Sequence, residues 1–344
     1  MNKLTPAQVK SKFNPDQEVE HLRAQVKELE GRIRSERDAT GEARLIVLKL
    51  TEAIDAADPP KMVYKPSKSD GSPLTYVLHL TDLHNGEVTK KAEVDGFGEF
   101  NPEIFDRRLE QLGRYVLDHV AVQRNGYCIP KLHIMGTGDY ISGDIHDELK
   151  ITNAYPTPVQ AVNCGYALGR LVQMLVPHFD HVSSDWITCD NHGRMTKKNQ
   201  ASEGGENNWG YVVAHIVKQY CNRFSNFSID IHAKASALLN LGKFRPLLFH
   251  GHQIKGWAGI PYYGFERRVA MEAVKRMNAP DSGFTHLMFG HFHIAGDTPN
   301  WLSGGSLSGT NAFDHSCGRH SPAHQTSFMV HPRHGNFGFN RWWL

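Results

Sequence analysis

Residues 74–87 read LTYVLHLTDLHNGE: a run of β-branched, aromatic and aliphatic side chains that stops abruptly at a polar cluster holding Asp82 and His84. Such a run predicts a buried strand ending in a loop. The same pattern recurs along the chain. KLHIMG (131–136), VSSDWIT (182–188), PLLFH (246–250) and THLMFG (285–290) also read as strands. Amphipathic helices are predicted between them at 102–123, 157–177, 206–222 and 264–278. In the first, Ile104, Phe105, Leu109, Leu112, Val116 and Val120 share one face. Beyond residue 301 Gly-rich turns replace helical periodicity, and further strands are expected. Strand–helix alternation implies an α/β fold with buried sheets.

Ligands in layered α/β domains bind at the carboxyl ends of strands. After the first strand come Asp82 and His84; after the second, Asp139; after the third, Asn191 and His192. After the fourth come His250 and His252, and after the fifth, His291 and His293. Carboxylate, amide and imidazole without thiolate suit divalent Mn, Fe, Zn or Co better than a Cys-rich structural zinc site. Two carboxylates with four or five histidines exceed the needs of one ion. A two-metal centre, its ions roughly 3.5–4 Å apart, would hold a hydroxide nucleophile and a phosphoryl oxygen together.

The ordered series D-x-H, G-D, N-H, H-G-H, G-H-x-H resembles the calcineurin-like metallophosphoesterase superfamily over residues 74–310. The resemblance implies a four-layer sandwich of two mixed β-sheets flanked by helices, with a dimetal site at the strand ends. Position by position it implies Asp82, His84 and His293 on the first ion, Asp139 bridging, and Asn191, His250 and His291 on the second. His192 would contact the phosphate as the catalytic group beside Asn191. His252 falls outside the usual ligand set and is a candidate substrate contact. The family's third motif is commonly G-N-H-[D/E], whereas here it reads Asp190-Asn191-His192-Gly193. The acid that would orient His192 is therefore missing, and Asp144, His146 or Asp147 would have to replace it unless they form a solvated loop.

Arg194, Lys197 and Lys198 follow the catalytic histidine and suggest contacts to further phosphates. IKGWAGIPYYGFERR (254–268) interleaves Lys255, Arg267 and Arg268 with Trp257, Tyr262 and Tyr263, a mixture suited to single-stranded nucleic acid. Together these segments resemble metallophosphoesterases of phage and prophage genomes, relatives of DNA repair exonucleases. The leading expectation is a manganese-dependent phosphodiesterase or nuclease acting on DNA rather than RNA, with Fe, Zn, Co or Mg as other candidate ions. The alternatives are a phosphomonoesterase of a nucleotide or phosphoprotein, and an assembly or binding protein with a vestigial site.

The rest of the chain sets the context. Val19, Leu22, Val26, Leu29 and Ile33 form an a/d heptad seam that resumes at Ala43, Val47, Leu50 and Ile54. Residues 1–57 are therefore expected to form a coiled-coil helix joining copies into a homo-oligomer, or an amphipathic helix folded back on its own domain. Residues 58–73, rich in Pro, Ser, Gly and Lys, read as a linker, and 74–344 as the catalytic domain. A net charge of +2 excludes a strong overall basic field, so nucleic acid would need a local patch. Five widely spaced cysteines argue against a disulfide scaffold. The lack of an apolar leader or bilayer-length run predicts a soluble, cytoplasmic protein without a membrane partner, in the bacterial host if phage-encoded.

Overall fold

The computed structural model describes residues 71–196, 204–255, 259–279 and 281–344. The helix expected over 1–57, the linker up to residue 70, and Lys197, Lys198 and Trp257 lie outside the described residues.

The first sheet has the order β11-β10-β1-β2-β3-β4. Its strands are β1 Thr75–Leu80, β2 Lys131–Gly136, β3 His181–Ile187, β4 Phe227–His232, β10 His324–His331 and β11 Gly335–Trp343. β1 to β4 run parallel, and β10 and β11 join antiparallel beside β1. The second sheet has the order β5-β6-β7-β9-β8: Ala237–Leu238, Pro246–Leu248, His286–Phe289, Trp301–Ser303 and Gly296–Asp297. Here β6, β7 and β9 are parallel, with antiparallel edges at β5 and β8. Both sheets are mixed, as expected.

The period-2 alternation of the strands sorts their side chains into layers. Tyr76, Leu78 and Leu80 of β1 pack beneath the helices α1 (Pro102–Gln123), α2 (Thr157–Leu175) and α3 (Trp209–Cys221). Val77, Met135 and Phe328 point the other way, to meet Leu248, Met288 and Leu302 of the second sheet. The outer face of that sheet, through Leu247, Leu287, Phe289 and Trp301, packs on Phe265 of α4 (Tyr262–Arg276). The order is helices, sheet, sheet, helix, a four-layer α/β sandwich.

Local chemistry explains where α1 begins. Asn101 accepts a hydrogen bond from Ile104 N at 2.8 Å, and Pro102 occupies the first turn, where its missing N–H is harmless. The six apolar residues named from the sequence are all buried, each contributing roughly 1.5–3 kcal/mol. Several elements differ from expectation, among them the short edge strands β5 and β8 and a four-residue helix at Leu149–Thr152. β4 was not among the predicted strands; it is the edge of its sheet and only half buried. The tail beyond 301 holds the expected strands and also a short helix, α5 (Ala312–Ser316), capped by Asn311. Among the described residues no helix is long and apolar enough to cross a membrane.

Candidate metal centre

The parallel strands of both sheets deliver their polar termini to one place. β1 ends in Asp82 and His84, β2 in Asp139, β3 in Asn191 and His192, β6 in His250, and β7 in His291 and His293. To turn the side chains inward, the backbone leaves the strands in an unusual conformation. Seven non-glycine residues among those described have positive φ, and five belong to this set: Asp82 (50°), His84 (49°), Asp139 (48°), His291 (69°) and His293 (57°). Left-handed backbone at bulky residues is strained, and such strain gathers at functional sites.

Three overlapping groups of donors result: Asp82, His84 and His293; His84, Asp139 and His192; Asp139, His250 and His291. In the first, His84 Nε2 and His293 Nε2 stand 3.2 Å apart, and Asp82 Oδ1 lies 3.5 Å from His293 Nε2. In the third, His250 Nε2 is 3.0 Å from Asp139 Oδ2. His192 Nε2 is 3.9 Å from the same oxygen. Asp139 therefore belongs to two of the three groups. The buried Asn191 Oδ1 has no hydrogen-bond partner among the described residues, an expensive state for an amide unless a cation serves it. Hard oxygen and imidazole donors, nearly all buried, fit divalent metal ions.

The rings are aimed from behind, as metal-binding imidazoles usually are. His250 donates from Nδ1 to the Thr137 carbonyl at 2.8 Å, which turns Nε2 toward Asp139. His192 donates from Nδ1 to the Ser142 carbonyl at 2.6 Å, and its amide donates to Asp139 Oδ1 at 3.0 Å. His293 Nδ1 lies 2.6 Å from Asp314 Oδ2. Asp82 is fixed by the His291 amide, 2.9 Å from both carboxylate oxygens, and by the Thr81 hydroxyl at 2.7 Å. Asp190 staples the third motif by accepting from the amides of Asp139 (2.9 Å) and Gly193 (2.7 Å).

The electrostatics match this arrangement. Burial drives His84 and His291 well below the usual histidine range, and neighbouring imidazoles push the same way. Burial opposes protonation of His250 too, but Asp139 outweighs it and brings that ring up to about 9. Burial would lift Asp139, yet His250 and His192 hold it well below the usual carboxylate range. The centre thus draws positive charge to its carboxylates. Protons on imidazoles can supply that charge, and a divalent ion would supply it in their place, releasing them.

The remaining candidates fall nearby in different roles. His252 is pushed down to about 3 by burial and by His250; its ring centroid is 5.5 Å from that of His250, and it belongs to none of the three donor groups. Arg194 donates to the Asn191 carbonyl at 2.7 Å, bracing the loop beside the amide. Asp144, His146 and Asp147 are exposed in a loop and belong to none of the three donor groups, and it is the Ser142 carbonyl, in place of the missing acid, that His192 Nδ1 meets. Sequence reasoning missed Asp314, Glu87 and the stapling by Asp190. Glu87, buried with its Oε2 3.8 Å from His84 Nδ1, was visible in the opening motif as the acid three residues after that histidine.

No family model matches the sequence, and no curated protein matches it. Among solved structures, a Vps29 single mutant from Entamoeba histolytica is 11% identical, covering 78% of this chain and 99% of its own, with a TM-score of 0.28. A conserved uncharacterized protein from Streptococcus pneumoniae, predicted to be a phosphoesterase, is 9% identical over 52% of this chain and 91% of its own, with a TM-score of 0.27. The sulfate thiohydrolase SoxB from Thermus thermophilus is 10% identical over 78% of this chain and 56% of its own, with a TM-score of 0.30. Likeness this distant carries no argument about chemistry, which rests instead on the side chains at the strand ends. In the order of its layers and in the ordered donors at one rim of both sheets, the chain resembles the calcineurin-like metallophosphoesterases.

Proposed function

We propose that the protein is a dinuclear metal-dependent phosphoester hydrolase whose substrate is a phosphodiester, DNA foremost, with manganese as its working ion. One observation carries the reading: Asp139 is common to two of the three donor groups, with His84 and His192 in one and His250 and His291 in the other, and His84 in turn belongs to the group of Asp82 and His293. Bound there, two divalent ions would supply Lewis-acid charge to a phosphoryl group and activate water for attack.

The chain's own residues do the rest. His192 is tethered through Nδ1, so Nε2 faces the centre, and its side chain is 21% exposed where most of the ligands are buried. That geometry supports it as the group that meets an incoming phosphate and gives a proton to the leaving oxygen. Asn191, braced by Arg194, presents its amide oxygen at the same rim. The cations and aromatics of Arg194, Lys255, Tyr262, Tyr263 and Arg267 favour a substrate that continues beyond one phosphate. Assembly through the N-terminal heptads completes the proposal and is checked by light scattering of the full chain.

The test is Mn²⁺-reconstituted hydrolysis of bis-p-nitrophenyl phosphate, p-nitrophenyl phosphate and labelled single- and double-stranded DNA. His192→Ala should lower kcat roughly 10²–10⁴-fold on diester and DNA, with Asn191→Ala also impaired. Hydrolysis of monoester alone would overturn the diester assignment, and silence on all substrates would overturn the enzyme.

A further inference from the structure

The histidines of the centre are not backed alike. His250 and His192 donate to backbone carbonyls, of Thr137 and Ser142. His293 instead meets a carboxylate, Asp314 Oδ2, at 2.6 Å, and the two side chains are 9% and 3% exposed. Asp314 comes from α5, 21 residues downstream and outside every motif that identified the site. Nothing in the opening pattern requires it.

We propose that Asp314 is a positioning residue for His293, holding the proton on Nδ1 so that the Nε2 lone pair faces Asp82 and His84. The inference rests on the metal-centre reading above. Two facts argue for it. First, His293 Nε2 stands only 3.2 Å from His84 Nε2 and 3.5 Å from Asp82 Oδ1, so the ring's tautomer decides whether a lone pair or a proton points at those donors. A neutral imidazole that donates from Nδ1 has its lone pair on Nε2. Second, Asp314 is itself held through its backbone. Its amide donates to Oδ1 of the capping Asn311 at 2.8 Å, and its carbonyl accepts from the Arg319 amide at 2.8 Å. Its Oδ1 has the Arg319 guanidinium 3.9 Å away. The carboxylate can therefore be changed while the backbone bonds that fold α5 remain. The consequence is an asymmetry among the histidines: His293 is backed by a buried carboxylate, and His250 and His192 by neutral carbonyls.

The experiment is Co²⁺ titration of the full-length protein, followed by visible absorption, for wild type, Asp314→Asn, Asp314→Ala, His293→Ala and the double variant His293→Ala with Asp314→Asn. One uptake step should weaken roughly 10–100-fold in either Asp314 variant, while the other step holds. In the His293→Ala background the Asp314→Asn change should add no further loss, because the two residues act as one unit. Wild-type uptake in Asp314→Asn, or losses that multiply in the double variant, would overturn the inference and leave the metal centre standing. A wild-type protein that takes up no Co²⁺ would instead overturn the metal-centre reading, and the inference with it.

Discussion

Gly290 precedes His291 at the end of β7, and replacing it by alanine is a sharp test of how the centre is assembled. A methyl group there would fall inside van der Waals contact of Thr81 Oγ1 and Asp82 Oδ2, and 2.9 Å from Thr81 Cβ. None of these is the loose end of a long side chain. Thr81 Oγ1 is bonded to Asp82 Oδ2, and both Asp82 oxygens lie 2.9 Å from the His291 amide. Overpacking a tight interior costs ~1–3 kcal/mol. Moving Asp82 aside also breaks a hydrogen bond to a charged acceptor, worth ~1.5–3 kcal/mol. Together these put the loss on the order of 3–5 kcal/mol, a fall in Tm on the order of 10 °C for a domain of this size. Calorimetry reads the stability and Mn²⁺ titration reads the metal affinity, both of which should fall. Gly126→Ala is the control, because a methyl there meets nothing within 4 Å. If Gly290→Ala melts and binds metal like wild type, the close approach of β7 to Asp82 is not what holds the carboxylate.

Two further outcomes follow from the same geometry. Chelation should lower Tm, since an ion at 100 times its Kd stabilises by about 2.7 kcal/mol; a Tm indifferent to both EDTA and added Mn²⁺ would sink the metal centre. Acid should weaken the fold through buried histidines away from the centre: burial pushes His133 down to about 4 despite the pull of Asp185. With the folded value depressed, His133 contributes stability that is present above its unfolded value near 6.5 and lost as pH falls toward 4. The upper bound is about 3 kcal/mol at 1.36 kcal/mol per unit. His133→Asn should flatten the urea midpoint between pH 6.5 and 4, and an unchanged pH slope would refute the assignment.

Much of the fold, and the gathering of the strand-end donors, was legible in the sequence, and the reasons are specific. α1 runs over the residues its periodicity marked, because Asn101, Pro102 and the buried stripe all agree on its start and face. The strand-end rule brought Asp82, His84, Asp139, Asn191, His250, His291 and His293 to one rim because every one of them follows a parallel strand. What escaped was set by tertiary contact or by weak local signal. Strand β4 carries the alternation Phe227, Ile229, Ile231, but at a half-exposed edge with only Ser228 and Asp230 between them. Asp314 sits in a helix of five residues, where periodicity has too little length to register; Asn311 followed three residues later by an acid was the cue available. The partner of His192 is a backbone carbonyl, and no side-chain pattern announces one.

The left-handed backbone at Asp82, His84, Asp139, His291 and His293 has a consequence for how this protein can change. Each such residue burdens the fold by an amount on the order of 1–3 kcal/mol. Glycine adopts that conformation freely, and asparagine more readily than most. A population of variants screened for heat resistance alone would therefore drift toward glycine and asparagine at these positions and become hardier as its centre was dismantled. Three histidines and two aspartates held in left-handed backbone set the stability of this fold against the donors it gathers.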